Sequence, residues 1–361
     1  MKNNTKVLIL CPYPTGSAPG QRFRYEQYLG ILRNANINIT IAPFLSTGSM
    51  KILYKPGYHF LKIRDVLVGF FFRFLLIFRV FSYDYIFIFR EASPIGPPIF
   101  ESILFLLKRK VIYDFDDAIF IRRLSRANSF LGLVKWTSKV KYICKNSYKI
   151  SVCNNYLVDW ASKYNHNVVL IPTTIDPEYH KPLKKYSNIR GKILVIGWTG
   201  SQSNLSYLDI VRPVLDNLQK KYEFEFRVIC DIDPDFSELK HYRFVRWSFE
   251  TEIADLGVFD IGLMPVPEGT WEKGKVGFKG IQYSALEIVP VVSSVGSGYE
   301  VVEDGKTGFV VGNTCDEWYQ ALERLLVNPD LVLKLGKAAR LRILEKYSVP
   351  SQAKAYINLF Q

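Results

Sequence analysis

Cysteine, histidine and methionine are all scarce in this sequence. Its 361 residues include five cysteines, four histidines and three methionines. The cysteines are odd in number, widely spaced and never arranged as a CxxC pair, which excludes a disulfide scaffold and a zinc cluster. They are typical of small core residues in a reducing compartment. The histidines share no motif, so we assign them no chemistry.

A long, uninterrupted apolar run is also missing. The most hydrophobic stretch, residues 66–81, is sixteen residues long and contains Arg73 and Arg79. A spanning helix needs about 20 apolar residues, and each central arginine costs about 2.5–3.5 kcal/mol, so we predict no transmembrane span. Two interpretations stay open: a core helix under a sheet, or a helix on a membrane surface, where these arginines with Lys62 and Arg64 flank bulky phenylalanines.

Basic residues are concentrated in one half of the chain. The sequence has a net charge of +13, yet residues 1–175 contain 24 Lys+Arg and 9 Asp+Glu, a net charge of +15. Residues 176–361 contain 23 and 25 of these residues, a net charge of −2. One basic domain beside a nearly neutral one suggests a polyanionic partner for the first: nucleic acid, an anionic membrane surface or a phosphorylated substrate.

The hydrophobic pattern predicts two α/β domains. Short apolar runs alternate with helical periodicity in both halves, as in parallel sheets covered on both faces. The polar residues 176–191 read as a linker between a domain of residues 1–175 and one of residues 192–345; residues 346–361 form a helix that can cross back. The predicted strands are 7–11, 37–42, 85–89, 111–114, 149–153, 168–171, 193–197, 226–230, 244–245, 261–265 and 291–294.

The apolar run that opens the chain is too short for a signal peptide. It spans only residues 7–10 before Cys11 and Pro12. We therefore interpret it as a first buried strand and expect a cytoplasmic protein.

The strongest chemical pattern lies between residues 265 and 298. A strand and a glycine-bearing loop lead into a predicted helix, on which Lys275, Lys279 and Gln282 share the stripe opposite the apolar face. Lysines at a helix N-terminus oppose the macrodipole by about 0.3–1 kcal/mol each, a cost that a bound anion removes. A loop with Gly296 and Ser297 follows the next strand and is a second candidate phosphate cradle. The alternative is a solvated basic face.

Charged residues also lie at predicted strand ends of the basic half. Gly20 permits close approach of a ligand to the backbone, and Arg22 and Arg24 supply positive charge for a phosphate or an oxyanion. The alternative is a surface helix with two arginines. Arg90 and Glu91 close the third strand at the edge where ligands bind, with a structural ion pair as the alternative.

A cluster of carboxylates ends the fourth strand. Asp114, Asp116 and Asp117 are of the type that binds a metal ion, orients an acceptor hydroxyl or caps a helix. Because lysines of the second half can supply the cations, we favour orientation of an acceptor. Capping of the next helix by Asp117 is the alternative.

Several motifs together resemble those of one enzyme family. They are KGKVGFKGIQYSA (273–285), VPVVSSVG (289–296), EVVEDGKTGF (300–309) and IGWTG (196–200), with PGQRFR (19–24), Arg90-Glu91 and DFDDA (114–118) in the first half. Over nearly the whole chain the sequence resembles retaining glycosyltransferases of family 4, in a subgroup with an Asp-Phe-Asp-Asp motif.

The resemblance implies the GT-B fold: two Rossmann-like doubly wound domains facing each other across a cleft. It implies transfer of a hexosyl-type sugar from a nucleotide-sugar to a glycan or lipid-linked acceptor, with retention, without a metal or other cofactor, in cell-surface polysaccharide assembly. Candidate catalytic residues are Asp116, Asp117, Lys279 and Arg22. Candidate donor-binding residues are Trp198, Thr199, Gly200, Lys275, Lys279, Gln282, Gly296 and Ser297. Candidate acceptor-side residues are Gly20, Arg24, Arg90, Glu91 and Asp114.

The sequence departs from the family pattern at two acidic positions. Gly274 and Gln282 stand where the family has a pair of glutamates, and Glu272 is a candidate substitute for the first. Glu287 stands where the family usually has glycine. An epimerase of sugar nucleotides and a catalytically degenerate binding protein therefore remain alternatives.

A basic nucleic-acid-binding protein is a remote alternative, because no RNP, zinc-finger or helix-turn-helix motif is present and the aromatic residues lie in apolar runs. We expect no nucleic-acid partner. We expect instead an anionic membrane, with the protein peripheral on its inner face.

Overall fold

The computed structural model describes residues 4–53, 55, 57–121, 136–183 and 191–361. The chain forms two compact units, each built on a six-stranded parallel sheet. The N-terminal unit comprises Met1–Thr173 and Gln352–Gln361, and the C-terminal unit comprises Thr174–Ser351. The last ten residues therefore belong to the N-terminal unit, where Tyr356 stacks on Tyr28 with ring centroids 3.8 Å apart.

The sheet of the N-terminal unit has the strand order β2-β1-β3-β4-β5-β6. Its strands are rich in β-branched and aromatic residues, and β3 is buried along its whole length because helices cover both faces. The strands are β1 (Thr5–Cys11), β2 (Ile37–Pro43), β3 (Tyr85–Phe89), β4 (Lys110–Phe115), β5 (Lys149–Val152) and β6 (Val168–Leu170). The helices are α1 (Pro19–Arg24), α2 (Leu29–Asn34), α3 (Thr47–Leu53), α4 (His59–Ile77), α5 (Ile99–Leu106), α6 (Lys139–Asn146) and α7 (Asn155–Ser162).

The sheet of the C-terminal unit has the strand order β12-β11-β10-β7-β8-β9. In chain order its strands are β7 (Leu194–Thr199), β8 (Phe224–Cys230), β9 (Tyr242–Arg246), β10 (Ile261–Met264), β11 (Val289–Ser293) and β12 (Phe309–Val311). The helices are α8 (Arg212–Leu218), α9 (Glu252–Leu256), α10 (Phe278–Ala285), α11 (Gly298–Val301), α12 (Cys315–Leu326), α13 (Pro329–Lys346) and α14 (Val349–Asn358), the last of which ends in the N-terminal unit.

Both sheets confirm the predicted α/β class, and every predicted strand is present. The pattern missed β12, a three-residue edge strand that follows the Glu-Asp-Gly-Lys-Thr-Gly turn. In that turn Gly308 has φ +153°, and a Cβ there would lie 2.3 Å from the Pro290 carbonyl oxygen, so the motif fixes the chain beside β11. Of the predicted linker, residues 184–190 lie outside the described part of the chain.

The apolar stretch at 66–81 belongs to α4, and its arginine faces inward. Arg73 is buried, and its guanidinium donates to the carbonyl oxygens of Cys11, Ala42 and Ala92 at 2.7–2.9 Å. One turn earlier, Gly69 packs on Phe44, where a Cβ would lie 2.7 Å from the ring. The expectation that Arg73 flanks the phenylalanines on a membrane face is therefore wrong. No helix in the described part of the chain has the length and apolarity to span a bilayer.

A second buried arginine ties the carboxyl end of β4 to α1. Arg24 donates from Nη2 to Asp114 Oδ2 at 2.5 Å and from Nε to Asp114 Oδ1 at 3.2 Å, and both side chains are fully buried. The guanidinium also donates to Ser151 Oγ and to the Ile171 carbonyl oxygen. These contacts join three strand ends, and the Asp114 carboxylate holds the pKa of Arg24 above its ordinary value against the effect of burial.

We predict that Asp114→Asn destabilises the N-terminal unit by about 3–5 kcal/mol, because Arg24 would remain buried without its counter-charge. Denaturant unfolding measures the change. Glu178→Gln is the matched control, since Glu178 pairs with Lys181 at the surface and such pairs contribute little. A variant of unchanged stability would contradict the structural role of Asp114.

Candidate functional site

The strand order of the C-terminal unit places a crevice at the carboxyl ends of β7 and β10. These neighbouring strands are not consecutive in the chain, so the connections that leave them run in opposite directions along the sheet. Trp198, Thr199 and Gly200 end β7, and the loop that leads to α10 follows β10. Ligands of open parallel sheets bind at such a switch point.

A lysine from α10 lies against the end of β7. The Lys279 Nζ atom is 4.9 Å from the centroid of the Trp198 ring, and Trp198 is fully buried. Gly200 makes room for this contact, because a Cβ there would lie 2.5 Å from the Trp198 ring and 3.2 Å from Lys279 Cε. The sequence-predicted donor residues Trp198, Gly200 and Lys279 are thus brought together.

The surroundings of Lys279 disfavour the positive charge of its amine. Burial lowers the pKa of Lys279 to about 7, and repulsion from Lys275 adds to this effect. The face of the Trp198 ring attracts a cation, but this attraction does not offset the loss of water. No salt bridge connects Lys279 to a carboxylate within the described ranges. A bound anion would supply the missing negative charge.

Two glycine-containing loops meet beside this lysine. The Ser297 N–H donates to the Lys275 carbonyl oxygen at 2.9 Å. Gly296 has φ +71°, and a Cβ there would lie 2.9 Å from the Glu272 carbonyl oxygen. Gly277, the N-cap of α10, has φ +74° and lies against Ser297 in the same way. The predicted residues Lys275, Gly296 and Ser297 therefore lie in contact with one another at the start of α10.

The structure corrects the predicted stripe of Lys275, Lys279 and Gln282 on one exposed helix face. The helix begins only at Phe278, so Lys275 precedes it in an extended conformation. Gln282 is buried, and its Nε2 donates to Glu252 Oε1 at 3.3 Å.

Two tyrosines beside these residues, Tyr283 and Tyr207, have no role predicted from the sequence; Tyr207 contacts Glu272, the candidate substitute for the first family glutamate. The Tyr283 hydroxyl accepts from the Thr199 N–H at 3.1 Å and donates to the Leu263 carbonyl oxygen, which ties β7 to β10. Glu272 Oε1 accepts from the Tyr207 hydroxyl at 2.7 Å. A chain with 22 tyrosines gives no pattern by which these two could be singled out.

In the N-terminal unit, Arg90 joins the carboxylates that follow β4. Its Nε donates to Asp116 Oδ1 at 2.6 Å and its Nη2 to Asp117 Oδ2 at 3.0 Å. These carboxylates outweigh burial and raise the pKa of Arg90. Gly20 lies directly beside the pair, since a Cβ there would be 2.9 Å from Asp116 Oδ2. Asp117 is more exposed than Asp116, with 24% against 8% of the side chain accessible.

The backbone of Arg90 is strained. Its φ of +60° is left-handed, a conformation that costs a residue with a side chain about 1–3 kcal/mol. The Arg90 N–H donates to the Asp114 carbonyl oxygen at 2.7 Å, and the Tyr113 hydroxyl donates to the Arg90 carbonyl oxygen at 2.8 Å. The fold thus fixes the direction of this guanidinium at the strand edge.

The side chains of the other predicted acceptor-side residues, and that of the predicted catalytic residue Arg22, have different partners. Glu91 pairs with the buried Lys139 at 2.8 Å, a partner that the sequence did not indicate. Arg22 lies over the ring of Phe23, 4.8 Å from its centroid. Arg24 and Asp114 are enclosed in the ion pair described above, which leaves them as positioning residues for the strand ends rather than acceptor contacts.

No protein-family model matches the sequence, and no curated protein matches it significantly. Solved structures do resemble it over nearly the full length. Sucrose-phosphate synthase from Thermosynechococcus elongatus has 15% identity and a TM-score of 0.68, over 99% of this chain and 98% of that one. A glycosyltransferase from Rickettsia africae ESF-5 has 13% sequence identity and a TM-score of 0.69, over 100% of this chain and 98% of that one. Anabaena HepE in complex with UDP has 13% sequence identity and a TM-score of 0.67, over 98% of this chain and 99% of that one. The chain therefore has the GT-B fold with two Rossmann-like domains.

The pKa of Lys279 is directly testable by pulse labelling with an amine-acylating reagent at a series of pH values. We predict that labelling of Lys279, read by mass spectrometry, rises with a midpoint near pH 7. Lys275→Gln removes a repelling charge, so the midpoint should move upward. A wild-type midpoint above about pH 9, nearer the ordinary lysine value, would contradict the buried state of this amine.

Proposed function

We propose that this protein is a glycosyltransferase that takes a sugar from a nucleotide-sugar donor. The observation that carries the proposal is Lys279, a partly buried amine with a pKa of about 7 at the switch point of a Rossmann-like sheet. Such a group gains most from a ligand that brings phosphate charge into the crevice. The resemblance of several sequence motifs to those of family 4 glycosyltransferases supports this proposal.

The donor is bound by the C-terminal unit. Its pyrophosphate lies between Lys279, Lys275 and the backbone of the loop at Gly296 and Ser297, and Trp198 and Gly200 border it. HepE, of similar fold, has been solved with UDP and with UDP-glucose, so a UDP-sugar is the first donor to test.

In the proposed reaction the acceptor hydroxyl oxygen bonds to the sugar anomeric carbon, the bond between that carbon and the donor phosphate oxygen breaks, and the hydroxyl proton passes to the departing diphosphate. Negative charge then builds up on the departing diphosphate, and fixed cations in a poorly solvated crevice stabilise it more than water would. Lys279 becomes fully protonated as that charge develops. Retention of the anomeric configuration is proposed from the family resemblance.

The acceptor is bound by the N-terminal unit, near Arg90, Asp116 and Asp117. Arg90 already pairs with both carboxylates, so side-chain charge neutralises them, and this favours a metal-independent reaction. Asp117, the more accessible carboxylate, is the candidate to accept a hydrogen bond from the acceptor hydroxyl. The proposed acceptor is a glycan or lipid-linked glycan in cell-surface polysaccharide assembly, at the inner face of an anionic membrane.

Lys279→Ala should lower sugar transfer at least tenfold while leaving the fold intact, because the departing phosphate loses its nearest cation. Lys337→Ala, at an exposed position of α13, is the matched control. Turnover with EDTA present should equal turnover without it. Transfer that is unchanged by Lys279→Ala would remove this residue from the site, and activity restored only by added Mg²⁺ or Mn²⁺ would refute metal independence.

A thermal-shift screen with UDP-, GDP-, dTDP- and ADP-sugars identifies the donor, since a ligand that binds the folded state raises its stability. Product analysis with the donor alone then separates a transferase from an epimerase. Stabilisation without any turnover would favour a degenerate binding protein, the alternative suggested by Gly274 and Gln282.

A further inference from the structure

Helix α4 presents a continuous apolar stripe to solvent. The residues of the stripe follow one another at spacings of three or four, so they share one face of the helix. They are Phe60, Ile63, Leu67, Phe71, Phe74 and Phe78, with exposed fractions between 47% and 90%. Large contiguous apolar surfaces of this kind mark sites of interaction.

The orientation of this stripe is fixed by the opposite face of the helix. Gly69 and Arg73 are the buried side of α4, and the Arg73 guanidinium is held by three strand-end carbonyl groups. Turning the phenylalanines inward would pull this arginine from its partners and push a larger residue against Phe44. The contacts of buried Arg73 therefore fix the helix in the orientation that exposes the aromatic stripe to solvent.

Cations surround the apolar stripe. Lys62, Arg64 and Arg79 lie on α4 or directly after it. A basic cluster, Lys108, Arg109 and Lys110, lies beside its carboxyl end, where the Arg109 guanidinium is 5.5 Å from the ring centroid of the exposed Phe81. The one acidic residue of α4, Asp65, is paired with Arg64 at 2.8 Å and is largely covered.

We propose that the apolar stripe inserts into an anionic lipid bilayer, with the basic cluster on the lipid headgroups. Charge complementarity selects this occupant: a second copy of the chain would bring like charges together, whereas anionic lipids neutralise them. An interfacial helix has this arrangement, with aromatic residues below the headgroups and cations beside them. The inference deepens the proposed function, on which it rests for the lipid-linked acceptor.

The test is co-sedimentation of the full chain with vesicles of phosphatidylglycerol and phosphatidylcholine in equal parts, at low salt. The double variant Phe71→Ser/Phe78→Ser should lower the partition coefficient at least tenfold, because two inserted rings are lost. Val327→Ser/Leu341→Ser is the matched control, since these apolar side chains are similarly exposed but lie in the C-terminal unit. The control should bind like the wild type.

The contribution of the basic cluster to vesicle binding is tested with a second pair of variants. Lys108→Gln/Lys110→Gln should weaken binding to the anionic vesicles and reduce its salt dependence, whereas Lys334→Gln/Lys337→Gln on α13 should not. Vesicles of phosphatidylcholine alone should bind the wild type less than the anionic vesicles do.

Nucleotide-sugar thermal shifts of the same variants separate this proposal from the proposed function. The expected result is loss of vesicle binding with an unchanged thermal shift. The bilayer proposal is overturned if the wild type fails to sediment with the anionic vesicles, if the phenylalanine variant binds as well as the wild type, or if the wild type is a dimer that this variant dissociates. None of these results would contradict the proposal that the protein binds a nucleotide-sugar.

Discussion

Two arginines buried at the carboxyl ends of parallel strands organise the N-terminal unit of this protein. Strand ends present carbonyl groups that need donors, and a buried guanidinium satisfies several of them at once. Arg73 binds three such carbonyl groups, and Arg24 binds the Asp114 carboxylate and a carbonyl group. Burial lowers the pKa of Arg73 to about 10, so it keeps its charge at neutral pH.

Lys279 also lies near the carboxyl end of a parallel strand, β7, but its charge is not stabilised by the fold. It rests on the Trp198 ring and is repelled by Lys275, and its pKa falls to about 7. The buried arginines are thus matched by oxygen atoms of the fold, whereas the described part of the chain places no carboxylate in a salt bridge with Lys279, and we propose that a ligand supplies the negative charge. That contrast is the physical basis for assigning the crevice of the C-terminal unit to an anionic donor.

Much of the fold could be predicted from the sequence because buried strands are short apolar runs with polar ends. The location of Gly200 and Gly296 in loops that follow strands, and of Lys279 on the helix that follows a strand, was predicted from the same pattern. What could not be predicted is which way a charged side chain points. The sequence predicts Arg24 as a ligand-binding cation or a surface residue, leaves the helix of Arg73 open between a core and a membrane-surface position, and places Gln282 on the basic stripe. A helical stripe does not reveal a buried partner such as Asp114 or Glu252. Tertiary pairing alone decides these cases.

The charge asymmetry of the chain acquires a structural meaning at α4. Buried Arg24 and Lys139 are balanced by Asp114 and Glu91, whereas buried Arg73 is held by carbonyl groups and contributes to the excess positive charge. The remainder includes the exposed cations around the apolar stripe, which fit a bilayer. Glu287, which stands where the resembled family usually has glycine, adopts φ +61°, a left-handed conformation that glycine reaches without strain.

We propose that Lys279 must be protonated to hold a diphosphate, and the affinity for UDP between about pH 7 and pH 9 tests this directly. Below its pKa of about 7 the amine is charged, and above it binding must take up a proton. The dissociation constant of the wild type should therefore rise by up to about tenfold per pH unit, while Lys279→Met binds weakly and without this dependence. A wild-type affinity that is independent of pH, and equal to that of the variant, would contradict the account.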